Sequence, residues 1–350
     1  MSAASGPAGP APGSRSDLIE RTERTERMPI ESDASAIAIT AAILAAHAAR
    51  FGVTSPSPAP RAIEVAPDDD PVRAGARAAC RALGFIDIDA ICLADAWRAR
   101  TVRTGVFDAL AWPAAPADFG LRSHPVAARA DAFAPCPAEL GLYAVLPDAA
   151  WVGRMARAGV PTVQLRFKST DPRAIEREVR AAVEAVRGTG ALLFINDHWR
   201  IAIEAGAFGV HLGQEDIDAL APADLRHLRE AGLRLGVSTH GYAEMVRADA
   251  ASPSYIALGA VFPTTLKAMA TAPQGLVRLG DYARLLRGYP RVAIGGIDAS
   301  RRAAVLATGV GSVAVVRALV AAADPEATAT EWTTAVDAGL RGARASPARP

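Results

Sequence analysis

The feature that most constrains the fold is a unit that repeats between Gly141 and Val316. Each unit is a short apolar run, a polar or glycine-bearing tip and an amphipathic segment. Strands that alternate with helical segments predict parallel pairing, and eight such units close a (β/α)8 barrel. We therefore predict an α/β protein, a TIM barrel with an N-terminal extension or small extra domain. The runs are Gly141–Leu146, Thr162–Phe167, Ala191–Asn196, Gly209–Leu212, Arg234–Ser238, Tyr255–Gly259, Arg291–Gly295 and Ser312–Val316.

The composition favours a soluble α/β protein and gives no sign of a nucleic-acid partner. Hydrophobic residues make up 51% of the chain, which is typical of a folded α/β protein. The 38 basic residues balance 37 acidic ones, and without a basic excess we predict no nucleic-acid partner. The longest apolar stretch, Ala34–Ala49, is short and alanine-rich, so we predict a helix there and no membrane association. The first 27 residues lack an apolar signal segment, which favours the cytoplasm.

The chain divides into four parts. We predict a disordered tail at 1–33 and a region of unassigned function at 34–135. The barrel is predicted at 136–342, followed by a second disordered tail at 343–350. A charge-dense stretch ends just before Met28, and we hypothesise that the natural protein starts there.

The N-terminal region offers few chemical signals. We predict a helix at Asp89–Arg100 and a Pro/Ser linker at 54–60. The three aspartates at 68–70 precede Pro71, which favours a helix start over a metal site. The cysteines share no metal-ligand spacing, so we expect neither a disulfide framework nor cysteine catalysis. They are Cys80, Cys92 and Cys136.

The second barrel run places two cations and an amide on one face. A period of two separates them from an apolar face, which must pack on the helices, so the polar set should face the barrel interior near its mouth. Cations in that position need a ligand, because unpaired buried charge is costly. A structural salt-bridge layer is the alternative. The polar set is Gln164, Arg166 and Lys168, and the apolar set is Val163, Leu165 and Phe167.

Two carboxylates follow adjacent runs. Asp197 comes after the third run and Asp216 after the fourth, so both should lie at the same rim. Beside Arg166 and Lys168 they suit Mg²⁺, which takes few protein oxygens and completes its shell with water and phosphate. A general acid/base pair and helix N-caps are the competing interpretations.

The later runs end in groups that suit phosphate. Ser238 offers a hydroxyl to an anion, and no partner pattern marks it as a nucleophile. Lys267 lies in a long loop, Pro263–Gln274, that could close over a substrate. Gly295 and Gly296, with the turn after the eighth run, predict a backbone phosphate cradle. Together these features suit the joining of a diphosphate-activated fragment to a monophosphorylated one.

In order and spacing, these segments resemble the thiamine-phosphate synthase (thiamine-phosphate pyrophosphorylase) family. The resemblance covers about half of the chain, from Gly141 to Leu319. The segments are Gln164-Leu165-Arg166-x-Lys168, Asn196-Asp197, the run from Gly209 to Asp216, Gly236-Val237-Ser238-Thr239-His240, Phe262-Pro263-Thr264, Lys267 and Ile294-Gly295-Gly296-Ile297.

The resemblance implies a transferase of thiamine biosynthesis. It would couple hydroxymethylpyrimidine diphosphate to thiazole monophosphate, giving thiamine monophosphate and pyrophosphate, with Mg²⁺ as cofactor and homodimers as a family-level expectation. Diphosphate leaves first, and the thiazole nitrogen captures a pyrimidine methylene cation. Metal and fixed cations stabilise negative charge on the departing diphosphate. The thiazole nitrogen carries no proton, so its attack needs no general base.

The resemblance also implies roles for individual residues. Those implied in catalysis are Arg166, Lys168, Ser238 and Lys267, and those implied to bind Mg²⁺ are Asp197 and Asp216. Those implied to bind substrate are Gln164, Leu165, Arg166, Phe167, Lys168, Asn196, Ser238, Thr264, Lys267, Gly296, Val316 and Arg317.

Two positions depart from the family pattern, both around the thiazole phosphate. Leu266 stands where a second Thr is usual, and Arg317 stands where Ser is usual. Arg317 could pair with the phosphate directly, whereas Leu266 removes a donor. Two alternatives stay open: a thiazole tautomerase using His240 as acid/base, and a non-catalytic thiamine-phosphate sensor. The tautomerase branch lacks the two aspartates.

Overall fold

The computed structural model describes residues 36–53, 70–122, 129–264 and 272–345. Eight parallel strands pair in chain order, and the last pairs with the first, so the sheet is a closed barrel. The predicted TIM barrel is confirmed. The strands are β1 (Gly141–Leu146), β2 (Thr162–Leu165), β3 (Leu192–Asn196), β4 (Gly209–Leu212), β5 (Arg234–Thr239), β6 (Tyr255–Leu258), β7 (Arg291–Ile294) and β8 (Ser312–Val315).

Helices follow the strands, as the alternating pattern predicts, and three further helices precede the barrel. Several begin with a side-chain cap: Asp148 accepts a hydrogen bond from the Trp151 amide, and Asp171 from the Arg173 amide. The helices are α1 (Ala36–His47), α2 (Pro71–Ala82), α3 (Asp87–Thr104), α4 (Ala149–Arg157), α5 (Pro172–Ala185), α6 (Trp199–Ala205), α7 (Gln214–Ala219), α8 (Pro222–Glu230), α9 (Tyr242–Ala250), α10 (Gly275–Leu285), α11 (Arg302–Leu306), α12 (Arg317–Val320) and α13 (Pro325–Ala345).

Strand β2 is shorter than its apolar run predicts. Its neighbour β1 ends at Leu146, which pairs with Leu165, so the ladder has no partner residue for Phe167. The amide of Arg166 still donates to the Leu146 carbonyl at 2.8 Å. Of the three polar residues predicted to face the interior near the mouth, only Gln164 lies within β2, and its side chain does reach the interior. Arg166 and Lys168 lie past the strand end, where side chains reach the rim.

The strand side chains divide into two apolar layers, as a period of two requires. The outer layer, between strands and helices, includes Val163 and Leu165, and Phe167 packs against it. The inner layer fills the barrel and includes Tyr143. Gln164 reaches this inner layer, because its side chain accepts a hydrogen bond from the Tyr143 hydroxyl. The predicted division of β2 into an apolar and a polar face is thus present.

The N-terminal region is helical where the sequence predicts helices. α1 lies within the predicted Ala34–Ala49 segment, and α3 extends the predicted Asp89–Arg100 helix at both ends. Asp70 caps α2, since its carboxylate accepts from the amides of Val72 at 2.9 Å and Arg73 at 3.1 Å. The interpretation of Asp70 as a helix start is therefore correct.

The N-terminal region shares one apolar core with the barrel. Phe85, Trp112 and Phe119 surround Tyr242, the first residue of α9, in a continuous buried cluster. The Trp112 indole N–H donates to the Tyr242 hydroxyl at 3.0 Å, and Phe119 stacks on the Tyr242 ring with centroids 5.2 Å apart. Aromatic side chains of this size dominate core energetics. These contacts fix α1–α3 and the following segment against one side of the barrel.

Buried carboxylates add ionic contacts at the same junction. Asp281 on α10 is paired with Arg50, which follows α1. Asp249 on α9 accepts from the Arg129 guanidinium and from the Tyr289 hydroxyl, at 2.8 and 2.6 Å. Burial alone would raise the pKa of Asp249, but these hydrogen bonds and one from the Arg122 amide outweigh it and hold the pKa below its usual value.

Several sequence predictions fall outside the described residues: the tail at 1–33 with Met28, the linker at 54–60, Asp68 and Asp69. Of the tail predicted at 343–350, the first three residues belong to α13. Among the described residues no helix is long and apolar enough to cross a bilayer. The cysteines Cys80, Cys92 and Cys136 are free thiols.

Trp112→Ala is expected to lower the free energy of unfolding by about 3–5 kcal/mol, because it removes a buried indole and leaves a cavity beside Tyr242. Urea unfolding followed by far-UV circular dichroism measures this loss. Leu110→Ala is the matched control, since Leu110 is 79% exposed and a change of no more than about 0.5 kcal/mol is expected there. A Trp112→Ala loss as small as the control's would contradict a shared core.

Candidate active site

The two predicted metal ligands meet at the C-terminal ends of the strands. Asp197 follows β3 with φ of 66°, a left-handed conformation that few non-glycine residues adopt. Its amide donates to the His211 carbonyl on β4 at 3.1 Å. Asp216 lies in the first turn of α7, where its carboxylate accepts from the Gly213 amide at 2.9 Å. The Asp197 carboxylate lies close enough to Asp216 to raise the pKa of the Asp216 carboxyl group.

The charges of this pair are only partly compensated. Burial raises the pKa of Asp216, the nearby Asp197 raises it further, and Lys168 acts in the opposite direction. Lys168 Nζ lies 2.9 Å from Asp197 Oδ2, with 61% of the lysine side chain exposed. One lysine therefore faces two carboxylates, and a divalent cation would balance the remaining negative charge.

The donor set fits Mg²⁺, which takes one or two carboxylates from the protein and keeps water and substrate phosphate as its other ligands. Across the described ranges, no group of three or more His, Cys, Asp or Glu side chains is placed to hold a metal ion. A pair of aspartates would leave the other coordination positions of the metal to water and a phosphate. The pair Asp197 and Asp216 is therefore the candidate metal site.

Behind the aspartates, Gln164 is buried and its amide is held from both sides. Nε2 donates to Asn196 Oδ1 at 2.8 Å, and Oε1 accepts from the Tyr143 hydroxyl at 2.9 Å. The amide keeps a second N–H and a second lone pair that no described residue uses. One donor beside one acceptor can match the edge of an aminopyrimidine, as Gln matches adenine.

The hydrogen bonds continue from Tyr143 across the barrel to Ser238. The Tyr143 and Tyr255 hydroxyls are 2.8 Å apart, and Tyr255 lies 2.7 Å from His211 Nδ1. His211 Nε2 is 2.7 Å from Ser238 Oγ. Burial raises the pKa of both phenols, so each keeps its single proton.

The direction of donation follows from these single protons. Tyr143 donates to Gln164, so Tyr255 must donate to Tyr143, and His211 Nδ1–H to Tyr255. An imidazole with its one proton on Nδ1 accepts at Nε2, here from the Ser238 hydroxyl. Donation from Ser238 to a phosphate would require a proton on Nε2 instead.

Arg166 supplies a second cation near the rim. It is half-buried, and its guanidinium makes no hydrogen bond or ion pair with any other residue that the structure describes. A cation in this state is suited to an anionic ligand. The third predicted cation, Lys267, and the departing residue Leu266 lie outside the described residues.

The glycine pair predicted to form a phosphate cradle lies where β7 ends. Gly295 and Gly296 have φ of 104° and 64°. A Cβ on Gly296 would lie 2.6 Å from the Pro263 carbonyl oxygen, so the loop after β6 packs directly on this backbone. Arg301 donates to the Gly296 carbonyl at 2.7 Å, and its guanidinium lies 4.6 Å from the Phe262 ring centroid.

The other predicted thiazole-phosphate residues border this cradle. Thr264 follows Pro263 and is half-buried. Val316 ends the run of β8, which pairs with β7, and Arg317 is the first residue of α12 with an exposed side chain. The structure thus brings Gly296 near the Thr264 segment and sets Val316 and Arg317 at the end of the neighbouring strand.

His240, the acid/base residue of the tautomerase alternative, follows β5. Its Nδ1 lies 2.7 Å from Glu244 Oε2, and its amide donates to the same oxygen at 2.8 Å. Burial alone would raise the pKa of Glu244, but the contacts with His240 hold it below its usual value. Gln274 donates to the His240 carbonyl at 3.0 Å and so ties the end of the long loop to this strand.

Sequence reasoning missed the groups that support the site. Tyr143 and Tyr255 bring buried hydroxyls into the barrel, and His211 links the Tyr255 hydroxyl to Ser238. Tyrosines at inward positions of otherwise apolar runs are the signal that could have found them. Arg301 gives no such signal, because only the fold brings it to Gly296.

The fold and the rim chemistry define a class: a (β/α)8-barrel enzyme for phosphorylated ligands, with a carboxylate pair, cations and a glycine cradle at its strand ends. A family model described as thiamine monophosphate synthase matches residues 142–319. The chain belongs to this family, and the assignment made from the sequence is confirmed.

Individual proteins give the same result. The thiamine-phosphate synthase of Neisseria meningitidis serogroup B is 57% identical over 195 residues, which cover 56% of this chain and 94% of that protein. The enzyme of Salmonella paratyphi B is 54% identical over 198 residues, covering 56% and 92%. The structure of thiamine phosphate pyrophosphorylase from Pyrococcus furiosus superposes with a TM-score of 0.51 at 28% identity, covering 57% of this chain and 97% of that one. The N-terminal part is unmatched.

Asp216→Asn is expected to raise the free energy of unfolding at pH 7 without divalent metal. Because the pKa of Asp216 is raised in the folded state, this group stabilises the fold only while it is protonated. That contribution is complete below the pKa of the unfolded state and is lost as the pH rises through the pKa of the folded state. Asparagine still accepts from Gly213 and removes the repulsion from Asp197. Urea unfolding with a chelator, at pH 7 and in acid, measures the gain, which should shrink in acid.

The control for this prediction is Asp218→Asn on the same helix, where the carboxylate is 54% exposed and pairs with Arg247. It should not gain stability at pH 7. A loss of stability in Asp216→Asn at pH 7 would show that the two aspartates do not repel each other in the folded protein.

Tyr143→Phe and Tyr255→Phe are each expected to cost about 1–3 kcal/mol of unfolding free energy, because each leaves buried polar neighbours unpaired. The two hydroxyls share one hydrogen bond. The double variant should therefore lose less stability than the two single variants added together, by about 0.5 kcal/mol or more. A double-mutant cycle by urea unfolding measures the coupling. Strict additivity would contradict a continuous chain.

Proposed function

We propose that this chain joins hydroxymethylpyrimidine diphosphate to thiazole monophosphate and releases pyrophosphate, with thiamine monophosphate as the other product. The carbon–oxygen bond to the diphosphate breaks, and a carbon–nitrogen bond to the thiazole ring forms. The observation that carries the proposal is the proximity of Asp197 to Asp216, with Lys168 paired to Asp197 and the buried Gln164 amide hydrogen-bonded to Asn196.

The diphosphate would lie over the ends of β2 to β5. Lys168 and Arg166 supply positive charge there, Asn196 and Ser238 border it, and Lys267 would complete the set. Fixed cations stabilise charge on a departing diphosphate without having to reorganise. Because Ser238 is tied to His211, its oxygen is held in one position.

Asp197 and Asp216 would hold Mg²⁺, which when bound would polarise the diphosphate oxygens and so make the leaving group more stable. Without the metal, the two carboxylates would repel the diphosphate that the cations attract. Lys168 pairs with one of them and lowers this repulsion. The protein groups then orient the diphosphate for departure.

Gln164 would read the pyrimidine ring with its remaining N–H and lone pair. The amide cannot rotate freely, because Asn196 and Tyr143 hold its two ends. A buried site that hydrogen-bonds its substrate rejects analogues that lack the matching group, since its polar atoms would stay unpaired. Leu165 and Phe167 would shape the site only indirectly, because both contribute to the outer layer.

The thiazole phosphate would bind at the cradle of Gly296, with Thr264 and Val316 beside it. Arg317 is exposed at the start of α12, where its guanidinium could reach a phosphate in place of the usual serine. The nucleophilic ring nitrogen carries no proton, so no residue is required as its base. His211 is consistent with this, since its nitrogens face Tyr255 and Ser238.

A pyrophosphate-release assay with both substrates and Mg²⁺ tests the proposal. Coupling activity would support the synthase, isomerisation of a thiazole without metal would support the tautomerase, and binding without turnover would support the sensor. Localisation in the cytoplasm, a homodimeric state and the lack of nucleic-acid or membrane partners stay predictions.

Asp197→Ala is expected to lower coupling by about 10²-fold or more, because it removes half of the metal site. Glu215→Ala is the matched control: this carboxylate is exposed beside Asp216 and should leave the rate nearly unchanged. Both rates are measured by pyrophosphate release at limiting Mg²⁺, with circular dichroism to confirm folding. Wild-type activity in Asp197→Ala would overturn the metal assignment.

A further inference from the structure

A carboxylate from the N-terminal region caps a helix of the barrel. Asp89 on α3 is 5% exposed, and its Oδ1 accepts from the amide of Ala243 in the first turn of α9 at 2.9 Å. The residue before α9 is Gly241, which has no side chain and makes no cap of its own. The first N–H groups of a helix need acceptors. In α9 the acceptor comes from a residue 154 positions earlier in the chain.

The fit between Gly241 and Asp89 is close. A Cβ on Gly241 would overlap the Asp89 carboxylate. Burial raises the pKa of Asp89, while the amides of Ala243 and Tyr242 act in the opposite direction. The helix start and the carboxylate are therefore built around each other.

Two further contacts from the N-terminal region reach the same helix start. The Trp112 indole donates to the Tyr242 hydroxyl, and Phe119 stacks on the Tyr242 ring. Both Asp89 and Phe119 belong to a part of the chain that lies outside the match to the family model. Three side chains thus fix the position of residues 242–243.

The helix start is joined directly to the diphosphate side of the site. β5 ends at Thr239, and α9 begins at Tyr242, so only two residues separate them. Ser238 lies one residue before that strand end, and His240 and Gly241 form the connection. A connection this short cannot absorb a shift of α9 without moving Ser238.

We propose that Asp89 is a positioning residue for the β5–α9 connection: through it, the N-terminal helices hold Ser238 in place for the diphosphate substrate. This assigns a role in the reaction to a region of the chain that the family model does not cover. The inference rests on the proposed function of the barrel. It places the effect on the diphosphate half of the site, since the thiazole-phosphate cradle lies after β7.

The test compares Asp89→Ala with a control that removes another contact of the same junction. Arg50→Ala breaks the pair with buried Asp281, which lies on α10. Both variants are expected to lose stability in urea unfolding. Asp89→Ala should also raise the KM for the pyrimidine diphosphate and the Kd of inorganic pyrophosphate by about tenfold, because small misplacements of a binding group are costly. Arg50→Ala should change neither by more than about twofold.

Two further measurements sharpen the result. Asp89→Asn keeps an acceptor for the Ala243 amide and should restore the KM and Kd to near wild type. Gly241→Ala displaces the Asp89 carboxylate without removing a core side chain, and it should reproduce the diphosphate defect if Asp89→Ala fails to fold. The KM for thiazole phosphate should stay unchanged in all of these variants.

A wild-type KM and Kd in Asp89→Ala, or in Gly241→Ala where the first variant does not fold, would overturn the proposal. So would a defect of equal size in Arg50→Ala, which would reduce Asp89 to a stabilising contact. Failure of the proposed function is a separate outcome: the unaltered chain would then release no pyrophosphate from the two substrates, whatever the variants do.

Discussion

A single chain of hydrogen bonds through the barrel interior holds the functional side chains in place. It joins residues from six of the eight strands, β1 to β6. A buried polar group that loses its partner costs about 1–3 kcal/mol, so each member keeps its neighbour in one orientation. The amide that would read the pyrimidine and the hydroxyl at the diphosphate side are thus parts of one structure. The members are Asn196, Gln164, Tyr143, Tyr255, His211 and Ser238.

Above this ordered interior, the rim is left electrostatically incomplete. Asp197 adopts a left-handed conformation close to Asp216, while the Arg166 guanidinium has no polar partner within the ranges that the structure describes. Arrangements that are unfavourable alone persist where a ligand completes them. The carboxylates would repel the diphosphate that the cations attract, and a metal bound between carboxylate and phosphate would remove this conflict. The proposed Mg²⁺ and the diphosphate would together complete the rim.

The barrel could be predicted from the sequence because its signals are local: apolar runs, their spacing and the polar residues that end them. The pairing of Asp197 with Asp216 followed from the rule that parallel strands end at one rim. The links from Tyr143 to Tyr255 and from Asp89 to Ala243 could not be predicted, because they join residues 112 and 154 positions apart. No periodicity encodes which inward side chains meet across a barrel.

The N-terminal region supplies hydrogen-bond partners that the start of α9 lacks within the barrel. A helix that starts after glycine has amides without a local acceptor, and a tyrosine hydroxyl that is buried needs a donor or acceptor. In α9 both requirements are met by residues of the N-terminal region, Asp89 and Trp112. The barrel sequence and the added helices have therefore become mutually dependent at one helix start, two residues from a strand that carries substrate-facing groups. A change in how the added region packs is transmitted to the site through that connection.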